Sequence, residues 1–301
     1  MKTLITFLTT ALIMLFINPA YVQAQQTLNS KPIVAQYFGI WVEKGQTWEQ
    51  KFRIDTPFAK LNRLYIAFGK IIKVAGDHFS IEFDGDNRHA QAIIDRMRAV
   101  NPTAEIFISL GGDGSSNQFG GAAKDQKFAE NVLNFLAKYG LNGLDIDWEI
   151  DLDKANLNLL VTRLYTSLHN AGYKLTLATW PSPLHAYDMQ VLKDNLDQIN
   201  IMSYGKAISL KNCAEQYIKK GFPANKLIGG IETEIPYYQF GGTDSLGPTG
   251  TIAQKTKYAL THGLAGMMSW RLDNDYPQEN DLRYPTYKGA HALWEMMMLS
   301  G

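Results

Sequence analysis

From Ile33 onward the chain alternates between two rhythms of apolar and polar positions. Eight short runs are rich in β-branched and aromatic residues: IVAQYFG from Ile33, RLYIAFG from Arg63, EIFISLGG from Glu105, GLDIDWE from Gly143, KLTLATW from Lys174, QINIMSY from Gln198, KLIGGIE from Lys226 and GMMSWRL from Gly266. Between them, stretches such as NRHAQAIIDRMRAV, DQKFAENVLNFLAKYG, LNLLVTRLYTSLHNAGY and NCAEQYIKKGF carry apolar residues at three- and four-residue spacing, with glycine near several ends. Each strand with its helix is one βα unit. Eight such units close a cylinder, and no dinucleotide glycine fingerprint follows the first strand, so the pattern predicts an α/β protein folded as a single (β/α)8 TIM barrel. The segment GGDGSSNQFGG after the third strand lacks the GK[ST] ending of a phosphate loop and reads as a flexible loop.

One of the eight runs breaks the usual habit of barrel strands. Within GLDIDWE, strict alternation sends Leu144, Ile146 and Trp148 to one side and Asp145, Asp147 and Glu149 to the other. If the apolar side faces the helices, three carboxyl groups project into the barrel, where bulky apolar side chains normally stand, with Glu149 nearest the rim that carries catalysis in this fold. Crowding and burial both disfavour charge there, so at least one carboxyl is expected to hold its proton.

Composition narrows the partners. The 301 residues are 46% hydrophobic and 19% charged, with a formal net charge of zero. That is ample material for one large core, and it offers no basic patch for nucleic acid or an anionic membrane. Cys213 is the lone cysteine, so the fold is held by its core rather than by internal disulfides. The N-terminal segment MKTLITFLTTALIMLFINPAYVQAQQ has the layout of a signal peptide: Lys2, an apolar stretch from Leu4 to Ile17, and Val22-Gln23-Ala24 before Gln25. The expectation is a signal peptide over residues 1–24, a catalytic barrel over 25–301, a secreted or periplasmic location and no stable membrane insertion after cleavage.

A solvated antiparallel strand or a hard-cation site would also place acids on one strand face. The βα rhythm argues against the first. The scattered histidines, with no HxH or HExxH pairing, argue against the second, so no metal or cofactor is expected. Chemically, graded carboxyls build a general acid of the kind that glycosidic cleavage needs. Both carboxyls nearest the rim lie on one strand, however, so these residues leave the nucleophile unaccounted for.

Asn142 to Glu149, NGLDIDWE, resembles the DGxDxDxE signature of family 18 glycoside hydrolases, the chitinases and endo-β-N-acetylglucosaminidases. Ser109-Leu110-Gly111-Gly112 resembles the SxGG of that family, Met202-Ser203-Tyr204 its Met-x-Tyr, Trp270 its tryptophan at strand eight and Ala67-Phe68 its strand-two ending. The resemblance implies a nucleophile supplied by the 2-acetamido oxygen of the substrate, an exception to the two-carboxylate rule. It implies that Glu149 protonates the leaving oxygen, that Asp147 orients the acetamido group and shares a proton with Asp145, and that Tyr204 bonds the acetamido carbonyl. Trp270 would floor the sugar site, Tyr37 and Ser109 would support Asp145, Gly111 and Gly112 would give structural support, and Met202 would bind substrate; Trp180, which ends strand five, is a further candidate for stacking on a sugar and could reshape specificity.

The implied ligands are chitin, chito-oligosaccharides or N-glycans; a non-catalytic glycan-binding lectin on the same barrel is a further reading, against which the intact Glu149 argues. Asn142, Ile150 and Gly205 depart from the pattern, where the family commonly has Asp, Tyr and Asp. Glu232 and Glu234 close strand seven in place of the usual aromatics; solvated carboxylates are expected there, at a place that could reshape specificity. The interval from Glu234 to Gly266 is too short for the α+β insertion domain that deepens the groove in many processive chitinases, so an open cleft is expected.

Overall fold

A computed structural model describes residues 31–113, 118–182, 184–234, 241–278 and 280–299. The expected signal peptide and the centre of the glycine loop, residues 114–117, lie outside them. The unit that begins at Pro32 is a closed (β/α)8 barrel. Its staves are β1 (Ile33–Gly39), β2 (Arg63–Val74), β4 (Glu105–Gly111), β5 (Gly143–Asp147), β6 (Lys174–Thr179), β7 (Gln198–Ile201), β8 (Leu227–Glu232) and β9 (Gly266–Trp270). Each pairs in parallel with the next. The ring closes because β1 pairs on one side with β2, Tyr37 opposite Tyr65, and on the other with β9, Gln36 opposite Ser269.

Two cores follow from the alternation. The larger lies between staves and helices and takes Leu144, Ile146 and Trp148 of the acidic strand. Leu144 and Ile146 are fully buried, each worth about 1.5–3 kcal/mol of transfer free energy; slipping β5 by one residue would exchange them for acids. The smaller core fills the barrel with Tyr37, Tyr65, Phe107, Met202, Tyr204, Ile228 and Met268 among others. Polar side chains share this interior, including Gln36, Arg63, Asp145, Thr176 and Asn200.

The helices form where the spacing indicates. NRHAQAIIDRMRAV is a helix over Asn87–Val100, started by the Asp86 side chain accepting from Arg88 N–H, with Ala90, Ile93, Ile94 and Met97 buried on one face. The helix Phe128–Tyr139 stops at Gly140, whose φ of 61° is left-handed. Between β8 and β9 the described residues hold one helix, Thr251–Thr261, and no α+β domain.

Three details differ from the sequence reading. β5 ends at Asp147, so Glu149 stands just beyond the stave rather than on it. The glycine-rich segment turns helical at its end, over Phe119–Lys124, where Phe119, Ala122 and Ala123 are buried. β2 overruns the barrel and folds back through Gly76 into an antiparallel strand, β3 (His78–Phe83), that buries Phe79, Ile81 and Phe83. The alternation in HFSIEF carries that signal.

Candidate functional site

The register of the staves builds the site. Asp145 lies opposite Ser109 on β4 and opposite Thr176 on β6, so all three side chains share the inner face. Ser109 Oγ donates to Asp145 Oδ2 at 2.7 Å and Thr176 Oγ1 to Oδ1 at 2.5 Å. Across the barrel, Tyr37 OH donates to Oδ2 at 2.9 Å, and Asn200 Nδ2 donates to Oδ1 at 3.2 Å and to the Tyr37 oxygen at 3.1 Å. Burial pushes the Asp145 carboxyl up to about 6, with the three hydroxyls pulling the other way.

One pleat above, Asp147 is 4% exposed, and its Oδ1 has no hydrogen-bond partner among the described residues. Burial raises this carboxyl well above the usual range, and the neighbouring charges of Glu149, Asp145 and Asp113 add to the rise. Glu149 is half-buried and is pushed up to about 7, first by burial and then by Asp113. A carboxyl poised there can give up a proton near neutral pH and take it back. Among the described residues Asp145 and Asp147 share no hydrogen bond; Asp145 is held by hydroxyl and amide donors.

Gly111 and Gly112 have a physical reason to be glycine. Gly111 lies opposite Asp147 with φ 121°, and a Cβ there would come within 2.1 Å of the Asp147 carbonyl oxygen. Gly112 has φ 90°; its N–H donates to that same carbonyl at 2.9 Å, and a Cβ would run into the Phe68 ring at 2.6 Å.

Above these residues opens a cleft of about 340 Å³ at the carboxyl ends of the staves. Asp113, Asp147 and Glu149 supply its acids; Tyr37, Trp180, Met202, Tyr204 and Trp270, all expected from sequence, line it together with Trp41, Phe68 and Ala178. Phe68 and Trp270 stack at 5.6 Å and Trp41 and Phe68 at 5.9 Å. Asp145, Ser109, Gly111 and Gly112 lie beneath and shape it. Among the described residues no group of three or more His, Cys, Asp or Glu is placed to hold a metal.

The departures from the family pattern resolve individually. Asn142 sits away from the cleft, where its Oδ1 accepts from Ile106 N–H and Arg98 and ties two staves together. Beside Gly205, the buried Asp244 accepts from the Gly205 N–H at 3.0 Å and pairs with buried Lys255. Ile150 is exposed, and its carbonyl accepts from the Trp148 indole. The two carboxylates at the end of β8, expected to be solvated, are instead tied into the protein. Glu232 is fully buried, accepts from Glu234 N–H and is raised well above its ordinary range by burial. Glu234 accepts from Trp270 Nε1, Arg271 and Asn274.

Sequence reasoning missed Thr176, Asn200, Asp113, Trp41 and Arg271. The first two were readable: in KLTLATW and QINIMSY the apolar neighbours face outward, so Thr176 and Asn200 face in.

The family described as glycosyl hydrolases family 18 matches residues 33–245. Chitinase A1 of Niallia circulans is 32% identical over 135 residues, which cover 37% of this chain and 19% of that protein. The matched stretches span 19% to 42% of the first three curated relatives. Among solved structures, chitinase ChiB from the chitin utilization locus of Flavobacterium johnsoniae superposes with a TM-score of 0.70 at 23% identity, covering 90% of this chain and 96% of that one. A class V chitinase from Nicotiana tobaccum, solved in complex with NAG4, gives 0.70 at 17% identity, covering 90% and 100%. Likeness at these identities shows the shared fold.

Proposed function

Because the chain belongs to glycosyl hydrolase family 18, we propose that it is a secreted retaining hydrolase that cleaves β-1,4-linked N-acetylglucosamine from within the chain by substrate-assisted catalysis. The observation that carries the reading is the pairing of Glu149, pushed up to about 7, with Asp147, whose Oδ1 has no partner among the described residues, in a cleft lined by Trp270. Glu149 gives its proton to the glycosidic oxygen as the bond to the anomeric carbon breaks. The acetamido carbonyl oxygen forms a bond to that carbon, giving an oxazolinium ring. Asp147 accepts the acetamido N–H through its open oxygen and offsets the developing positive charge, while Tyr204 steadies the carbonyl side. Water then adds to the anomeric carbon from the face the leaving group vacated, opposite the oxazolinium oxygen, breaking the C–O bond of that ring and returning a proton to Glu149, so configuration is retained.

Asp145 takes no part in bond changes on this reading. Its four donors fix the strand so that Asp147 and Glu149 meet the sugar in one geometry. The aromatic lining suits the apolar faces of pyranose rings and holds few subsites, which favours release after each internal cut. A complex of a tobacco relative of the same fold with NAG4 supports the choice of substrate class.

Export rests on the signal-like residues 1–24; among the described residues no helix is long and apolar enough to cross a membrane. The decisive assay incubates the purified protein with chitin oligomers and, separately, with a high-mannose glycoprotein. Release of shorter oligomers supports the proposal. Cleavage of the glycoprotein alone moves the substrate to N-glycans, and binding with no cleavage of either makes the protein a lectin.

A further inference from the structure

Two tryptophans of the cleft are held by one buried guanidinium. Trp41 Nε1 donates to Glu43 Oε1 at 2.7 Å, and Trp270 Nε1 donates to Glu234 Oε2 at 3.0 Å. Arg271 NH2 donates to both carboxylates, at 2.6 Å to Glu43 and 3.0 Å to Glu234. Its NH1 donates to Asp273 at 2.6 Å, and Asp273 also accepts from Gly39 N–H and pairs with buried Lys51. The guanidinium carbon lies 4.6 Å from the centre of the Trp41 ring and 5.8 Å from that of Trp270. Arg271 is 2% exposed, so it reaches no ligand itself.

We propose that Arg271 is a positioning residue that sets the aromatic wall of the cleft, acting through Glu43 on Trp41 and through Glu234 on Trp270. The inference rests on the reading of the cleft as a sugar site. The two indoles stand 6.4 Å apart at 29° and both stack on Phe68; stacking sets the spacing of the planes but lets each ring slide and turn within its plane, and a hydrogen bond at Nε1 removes that freedom. A planar fork with donors on separate nitrogens can bridge two carboxylates and grip a third; a lysine ammonium, a point donor, cannot hold the same three directions. Burial of the guanidinium demands that its partners stay in place, because an orphaned buried charge is costly. The position of both rings is thereby tied to a group that sugar never touches, and the wall is formed before a ligand arrives.

Glu43 gives the cleanest test, since its side chain is 48% exposed and its loss should leave the fold intact. Glu43→Ala should raise KM for a β-1,4-linked N-acetylglucosamine tetramer about threefold to tenfold, the worth of one hydrogen bond, with kcat changed by less than about twofold. Glu43→Gln should restore most of the loss. In a Trp41→Phe background, which has no indole N–H to hold, Glu43→Ala should add nothing. Near-ultraviolet circular dichroism of the ligand-free protein should lose part of its tryptophan signal in Glu43→Ala and more in Arg271→Lys.

An equal KM change in both backgrounds, or an unchanged spectrum, would overturn the proposal. If the wild-type protein neither cuts nor binds the tetramer, the sugar reading fails, while the spectra still decide whether the clamp holds the rings. If Arg271→Lys does not fold, the Glu43 series decides alone.

Discussion

Asp145 and Asp147 stand one pleat apart on the same face of β5, yet four side-chain donors hold Asp145 while Asp147 Oδ1 meets none among the described residues. The contrast separates an anchor from a ligand-facing group. Tyr37→Phe keeps the ring and removes one of the anchoring donors. It should lower kcat roughly 10- to 100-fold, the range for a hydrogen bond to a charged group, and leave far-ultraviolet circular dichroism unchanged. A variant with unaltered kcat would mean that the anchoring of Asp145 does not reach the chemistry.

Glu149→Gln keeps the shape of the side chain and removes its transferable proton. Turnover should fall by about 10² to 10⁴ while binding of an N-acetylglucosamine oligomer, followed by calorimetry, persists. Retention of more than half the wild-type rate would remove Glu149 from the role of acid.

The same residue sets the alkaline side of the pH profile. Glu149 must be protonated to act, and its carboxyl is pushed up to about 7, so the alkaline limb of activity should fall as pH rises through about 7. Asp113 contributes to the rise by like-charge repulsion. Asp113→Asn removes that repulsion, lowers the Glu149 value and should shift the alkaline limb of kcat/KM to lower pH. A limb that stayed put, or moved upward, would contradict the assigned coupling.

Trp270→Ala should cut kcat/KM by roughly 10- to 100-fold, the worth of a large apolar contact, because a floor beneath the reacting sugar acts on the transition state. Trp180→Ala should chiefly raise KM. Steady-state kinetics on soluble oligomers separate the two, and a pure kcat effect at Trp180 would move that residue to the reacting sugar.

What could be read from sequence divides by distance along the chain. Alternation exposed the eight staves and placed Asp145 and Asp147 on the inner face, because the strand period is local; Glu149 reaches the cleft from just past the end of β5. The same rule was available for Thr176 and Asn200, but a lone threonine or asparagine facing inward carries no charge signal to single it out. Glu234 reads locally as a rim carboxylate; its partners Arg271 and Asn274 follow it by 37 and 40 residues. Arg271 and Glu43 are 228 residues apart and meet only because the barrel closes β1 against β9. No local pattern encodes such a contact.

Early-time proton NMR of oligomer hydrolysis tests the central claim most directly. Attack by the acetamido oxygen on the face opposite the leaving group, followed by water on the face that group vacated, delivers the β-anomer first, with the α-anomer growing in only as the sugar equilibrates. A β-anomer first in the wild type, and no product from Glu149→Gln over the same interval, is the predicted result. An α-anomer first would mean direct attack by water, and would contradict substrate-assisted catalysis in this cleft.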